Sequence, residues 1–490
     1  MTALRKTARD VSIVGGSHLV MWAATFVFTV AQARYLGPAR FGELSLALAY
    51  AALFTIVVDF GLSTHLSRLV AQRAPELGKT VGATLVLRVA LWLLTLPFAL
   101  LTAGLLGYEQ DLRQAILILG VSVFFMGLSN TIGAILQGRE QFFLLSVAAI
   151  AYRVTAAAVG VALLMVTQDI GVIAFSFVLA AVAAGMVLLL GMRSGAAVPI
   201  EFDARTTLRV LRGAIPLGLY WIIGTFYFSV DMVMLERLAP ADNVGWYAAA
   251  YRLFSTTLVV PGIVTMMILF PMFSRLSVDS RDELRRVIDK ALTFLVPVGC
   301  AVAVAMAVLA EGITSLVYPS HSYGAAANAL RLLAPGVLLV YVNSVFAYAL
   351  LGLHHERRLL AMAAVAAVLN PLANLVAIPL WRQDGAALTT SLTEVFLLVW
   401  LVRAMPRDLL SAASLRLAAK SAAAAALTAI VLFPVREMNV FVTLPASLAI
   451  YAAAALALRV ISASDLRALG DVMRPHHAPR RVVRANEEVA

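Results

Sequence analysis

Eight side chains stand out for chemistry that their surroundings do not otherwise support. Arg88, Arg153, Arg252, Asp59, Asp231, Glu394, Asn370 and Asn374 all fall inside long apolar stretches. An ionisable group in such a stretch is costly, so it either pairs with an opposite charge or serves a ligand or ion path. A guanidinium offers a planar fork of donors that grips two oxygens of a phosphate. Position along each helix, at about 1.5 Å per residue, sorts the partners. Asp59 with Arg88, Asp231 with Arg252, and Glu311 with Arg331 lie at matching depths and are expected as pairs. Arg153, about 17 Å into its helix, and Glu394, about 14 Å into its own, stand near mid-depth. Arg153 is expected to line a wet cavity, with a pair to Glu394 as the alternative. Asn370 and Asn374, at i and i+4, share one helix face, where amides either meet substrate or tie helices together. The candidate substrate-binding set is therefore Arg153, Arg88, Asn370 and Asn374. The candidate gating or ion-coupling set is Asp59, Asp231, Arg252 and Glu394.

Other motifs carry no chemistry. Gly78-Lys79-Thr80 ends like a phosphate-binding loop, but Arg73 occupies the place of its first glycine. His354-His355 and His476-His477 are adjacent pairs in polar segments, and neighbours in sequence cannot share one helix face. The lone cysteine, Cys300, excludes an intramolecular disulfide. No catalytic residue, metal site or cofactor is expected.

The elements that must position these residues follow from composition. The 490 residues are 62% hydrophobic and 13% charged, whereas a soluble domain carries about 25% charged residues. Apolar runs of about 20 residues recur throughout, each long enough to cross a bilayer as a helix. The expected fold is all-α and polytopic, with about 14 spans: 11–32, 41–64, 80–105, 114–137, 142–166, 170–192, 213–236, 244–270, 291–317, 326–352, 359–381, 385–404, 413–435 and 439–461. The first is longer than the apolar core of a cleaved signal and is expected to stay.

Basic residues set the orientation. Of 38, 28 fall on the N-terminal side of the membrane, six on the other and four within spans. The bias places both termini in the cytoplasm. It also reads the net charge of +11 as topology and attraction to anionic lipid, not nucleic-acid binding. Arginine far exceeds lysine in an alanine-rich chain, a composition typical of GC-rich bacterial genomes. Two internal likenesses, Leu36–Gly42 with Leu238–Gly245 and Leu144–Ala151 with Leu359–Ala366, recur about 203 and 215 residues apart. Each offset equals six spans. They predict two six-helix lobes of like orientation, 1–200 and 201–408, a terminal helix pair over 409–461 and a cytoplasmic tail over 462–490.

The order of short motifs carries a resemblance. Ala33–Gly42 after the first span, Asp59-Phe60-Gly61-Leu62 closing the second, and Ile215-Pro216-Leu217 and Asp231–Leu235 bounding the seventh belong to it. So do Val244–Leu253, Leu269-Phe270-Pro271, Leu369–Asn374 and Asp384–Ala387. Over residues 10–404 the chain resembles bacterial polysaccharide-repeat-unit flippases of the multidrug, oligosaccharidyl-lipid and polysaccharide exporter superfamily. The resemblance implies two lobes rocking about a central, often cationic cavity in the bacterial inner membrane. It implies an undecaprenyl-pyrophosphate-linked oligosaccharide as substrate, membrane lipids around it, a monovalent cation or proton as coupling ion, and a polysaccharide polymerase as partner. A peptidoglycan-precursor flippase or a drug/cation antiporter of the same superfamily stays open. A membrane enzyme of polysaccharide assembly is disfavoured, because every external connection is shorter than about 12 residues.

Overall fold

The computed structural model describes residues 3–72, 76–139, 141–192 and 200–460. The expected tail, with His476 and His477, and the first part of the 193–212 link lie outside these residues. Every regular element described is helical. In chain order they are α1 Ala3–Asp59, α2 Leu62–Ala71, α3 Leu77–Leu105, α4 Gln110–Gly138, α5 Phe142–Leu164, α6 Ile170–Met192 and α7 Ala204–Leu238. The second half follows with α8 Ala241–Thr257, α9 Val259–Ile263, a π-helical turn Val264–Leu269 and α10 Phe270–Asp279. Then come α11 Arg281–Val308, α12 Ala310–Val317, α13 Ser320–Tyr323, α14 Ala326–Gly352, α15 Glu356–Ala404, α16 Ala412–Leu432 and α17 Val440–Ala457.

Eleven described helices are long and apolar enough to cross a membrane. This is a multi-pass membrane protein. The two longest of the eleven, Val20–Asp59 with 40 residues and Glu356–Ala404 with 49, are at least twice the roughly 20 residues of one crossing. Each is broken at one residue. Gly37 (φ 70°) interrupts α1 just before Pro38, and Arg382 (φ 53°) interrupts α15. A left-handed φ costs glycine nothing, which suits Gly37 to the break. Both breaks fall where the sequence places loops between expected spans.

Helices also run beyond the apolar stretches. Asp203 accepts hydrogen bonds from the Arg205 and Thr206 amides and caps α7, so the 200–212 part of the expected link is largely helical. Ser280 caps α11 in the same way, and the 271–290 link becomes α10 and the start of α11.

Two main buried cores hold the bundle together. One gathers Phe28, Phe41, Tyr50, Phe54, Leu119 and Ile173 from the first half. The other gathers Tyr247, Phe273, Leu295, Leu333, Tyr341 and Ile378 from the second, and extends to Ala424 and Tyr451 of α16 and α17. Large apolar side chains such as Leu94, Phe98 and Leu105 remain exposed, as a surface solvated by lipid requires.

The halves meet where α1 and α8 cross. A β-carbon on Gly245 would lie 1.9 Å from the Pro38 carbonyl oxygen, and one on Gly42 would lie 2.7 Å from the Gly245 amide nitrogen. Only glycine permits this approach. Tyr323, beyond α12, adds a hydrogen bond from its hydroxyl to the Ala33 carbonyl (3.1 Å), and Phe41 packs on Tyr318 and Tyr323.

Candidate functional site

A cavity of about 320 Å³ lies among α1, α4, α5, α6 and α8. Its wall carries Thr25, Thr29, Gln32, Thr55, Ser122, Tyr152 and two arginines. Arg153 reaches it from α5, as the sequence expects. Arg252 reaches it from α8, across from the other half. Arg153 is exposed, its guanidinium 5.6 Å from the Tyr152 ring centre, and among the described residues no carboxylate pairs with it. Two cations and a ring of hydroxyls and an amide can receive an anion whose remaining groups need hydrogen bonds.

Arg252 departs from its expected pairing with Asp231. Asp231 instead accepts hydrogen bonds from the Tyr247 hydroxyl (3.0 Å), the Thr390 hydroxyl (3.0 Å) and the Asn374 amide (2.7 Å). The reason is rotation. At about 100° per residue, Tyr247 and Arg252 point roughly 140° apart on α8. Depth matched Asp231 to Arg252, but facing direction matched it to Tyr247.

Asn370 and Asn374 do not line the cavity that holds Arg153. Both are buried, at 1% and 0% exposure. Asn374 donates to Asn370 Oδ1 at 3.0 Å, and Asn370 donates to Thr393 at 3.3 Å. They complete a polar cluster with Asp231, Thr390 and Tyr247 inside the second half, away from the arginine-lined cavity. The Asn374 Oδ1 is buried without a hydrogen-bond partner. Glu394 sits near this cluster on α15, holding the Asn343 amide through its carboxylate (2.8 Å) and its backbone carbonyl (3.0 Å). With Asp231 and Thr390 it lines a second cavity of about 250 Å³. Arg153 and Glu394 therefore belong to different cavities.

Arg88 and Asp59 pair as expected, at 2.6 Å. Arg88 also donates to the Ser63 hydroxyl (2.6 Å) and to the Gly127 carbonyl, and is 2% exposed. Its two terminal nitrogens are committed to α1, α2 and α4, while its Nε is buried without a hydrogen-bond partner. Glu311 and Arg331 pair at 2.7 Å on an exposed surface. Tyr247, Thr390, Asn343 and Gln32 were not singled out by sequence, although the run Thr389-Thr390-Ser391 with Thr393 is an unusual density of hydroxyls for an apolar helix.

Comparison with known proteins places this geometry. The family described as "Polysaccharide biosynthesis protein" matches residues 7–277, more than half of the chain. The chain belongs to that family. Among curated proteins, none matches the sequence. Of the solved structures, this polysaccharide biosynthesis protein is similar to "Lipid II flippase MurJ, inward closed conformation", with TM-score 0.77 and 14% identity over 93% of this chain and 99% of that one. It is also similar to an inward-facing multidrug resistance MATE family transporter of the MOP superfamily (TM-score 0.64, 15% identity, 79% and 96% of the chains). A MOP superfamily transporter from Pyrococcus furiosus gives TM-score 0.54 and 14% identity over 81% and 95%. The all-helical fold is like that of these structures, and the expectation of an all-α, polytopic bundle holds.

Proposed function

We propose that this polysaccharide biosynthesis protein flips an undecaprenyl-pyrophosphate-linked oligosaccharide repeat unit from the cytoplasmic to the periplasmic leaflet of a bacterial inner membrane. The observation that carries the reading is the shared cavity of Arg153 and Arg252, one from each half. A pyrophosphate crossing hydrocarbon bare would strand its charges. Two guanidinium forks supply the counter-charge, and Thr25, Thr29, Gln32 and Ser122 supply partners for sugar hydroxyls. The polyprenyl tail stays in lipid. Because the two arginines belong to different halves, rocking one half against the other opens or closes their grip, which is alternating access.

In this reading the chain crosses the membrane fourteen times, with both termini cytoplasmic and two six-helix lobes, 1–200 and 201–408, followed by the 409–461 pair. The Asp231 cluster is the coupling site. A carboxylate, the unpartnered Asn374 oxygen and the Asn370 and Thr390 oxygens offer the all-oxygen environment that hard cations take. A monovalent cation there would release Asn374 and Tyr247 from Asp231 and so bias the second half. The test is transport in proteoliposomes loaded with a fluorescent undecaprenyl-pyrophosphate oligosaccharide. The protein should move the lipid, Arg153→Ala with Arg252→Ala should abolish movement, and Asp231→Asn should remove its dependence on a sodium or proton gradient. No movement by the unaltered protein overturns the reading.

The fold likeness to a lipid II flippase favours a second reading, transport of a peptidoglycan precursor. Rescue of cells depleted of their lipid II flippase would select it. Failure of rescue together with repeat-unit movement selects the first.

A further inference from the structure

A cavity of about 390 Å³ opens between α11 and the terminal helix pair and shares no lining residue with either cavity above. Arg416 and Lys420, at i and i+4 on α16, share its wall with Arg459, the second residue past α17. Like charges spaced so on a helix repel one another. One carboxylate faces them, Asp289 of α11, and it already accepts a hydrogen bond from the Ser414 hydroxyl at 2.7 Å. Arg459 is held with φ 51°, and its carbonyl accepts a bond from the Lys420 ammonium at 3.5 Å. A non-glycine residue in the left-handed region is strained, and such strain collects at binding sites. Converging cations and a strained backbone both cost stability, and a bound anion offsets both.

The neighbours indicate where the anion comes from. Leu427, two turns beyond Lys420 on the same face of α16, is exposed, and so is Leu456 on the last turn of α17. A basic pocket at helix ends with exposed apolar side chains farther along the same helices is the arrangement of a site at headgroup depth. We propose that this pocket binds the phosphate of an anionic phospholipid, its acyl chains lying over Leu427 and Leu456. The proposal rests on the orientation given above only in assigning the pocket to the cytoplasmic leaflet. The test reads lipid retention, not transport, so it stands or falls separately from the flippase reading.

The full chain, purified in detergent, would be titrated with phosphatidylglycerol, with phosphatidylcholine and with inorganic phosphate in separate arms. Retained lipid would be read by native mass spectrometry and stability by thermal unfolding. Phosphatidylglycerol should be retained and should raise the midpoint, whereas phosphatidylcholine should do neither. The combined substitutions Arg416→Gln, Lys420→Gln and Arg459→Gln should lower retention by about fivefold for each cation removed. Arg459→Gly, which relieves the φ strain and leaves two cations, gives a folded control and should lower retention by about fivefold alone. Equal stabilisation by inorganic phosphate would assign the anion to a free phosphate and overturn the lipid assignment. Retention unchanged in the Arg459→Gly and combined variants would overturn the site itself.

Discussion

A guanidinium buried in an ion pair and one exposed to a cavity should respond oppositely to removal, and this chain holds both. Arg88 is tied to Asp59, Ser63 and Gly127, so Arg88→Met should strand Asp59 at a cost of roughly 3–5 kcal/mol and lower membrane abundance. Adding Asp59→Leu should restore much of that abundance, as immunoblots of membrane fractions would reveal. Normal abundance of the single variant would mean that the pair contributes nothing to stability. Arg153 should behave in reverse. Arg153→Ala should abolish export at near-normal abundance, and Arg153→Lys should restore it only in part, because an ammonium keeps the charge but loses the fork. Surface polysaccharide measured in a deletion strain checks this, and full activity of the alanine variant would remove Arg153 from the transport path. Sequence alone places Arg153 at a cavity and pairs Asp59 with Arg88, since depth and charge suffice for both. It pairs Arg252 with the wrong residue, because depth along a helix says nothing of rotation about it. Which face of α8 meets which neighbour is decided by packing of the whole bundle.

At the scale of the element, apolar length identifies the helices but not their ends. Hydropathy stops where side chains become polar, while the hydrogen-bonded ladder continues to the next cap, at Asp203 for α7 and Ser280 for α11. Single-residue breaks are likewise hidden, since Gly37 and Arg382 interrupt helices that otherwise continue on both sides. The α1–α8 crossing is where the halves pack most closely at the Gly37 end. Gly42 and Gly245 occupy equivalent places in the internal likeness and touch each other, as residues near a two-fold axis between the expected lobes would. Gly245→Leu should therefore pry this end open. Gln32, buried below the crossing on the cavity wall, is the reporter. A Gln32→Cys protein should resist a membrane-impermeant maleimide and become reactive once Gly245→Leu is added. Equal labelling with and without that substitution would show that the glycine contact closes nothing.

For the molecule as a whole, the connections sort into two groups by direct contact. At one end Arg281 bonds Asp408 at 2.8 Å, holding that carboxyl below the usual carboxylate range, and Arg358 bonds the Ala404 carbonyl at 2.7 Å. At the other, Arg40 bonds Asp111 at 2.9 Å, Gln168 bonds the Tyr35 carbonyl at 3.0 Å, and Asn328 bonds Asp384 at 2.6 Å. Loops in contact must share a side of the membrane. The charge bias makes the same division independently: it assigns 281, 358 and 408 to the cytoplasm, and 40, 111, 168 and 384 to the outside. Distribution of arginine and packing of helices are separate physical causes, the first acting during insertion and the second after it. Reporter fusions at Arg139, within 271–290 and at the C-terminus should thus be active only in a cytoplasmic format, and fusions at Arg113 and Arg382 only in a periplasmic one. Fusions at Asp111 and Arg40 must agree with each other whichever way the chain inserts, because one ion pair joins them. Disagreement between those two would break the described packing, whereas agreement with all signs reversed would leave the fold intact and invert the direction of transport.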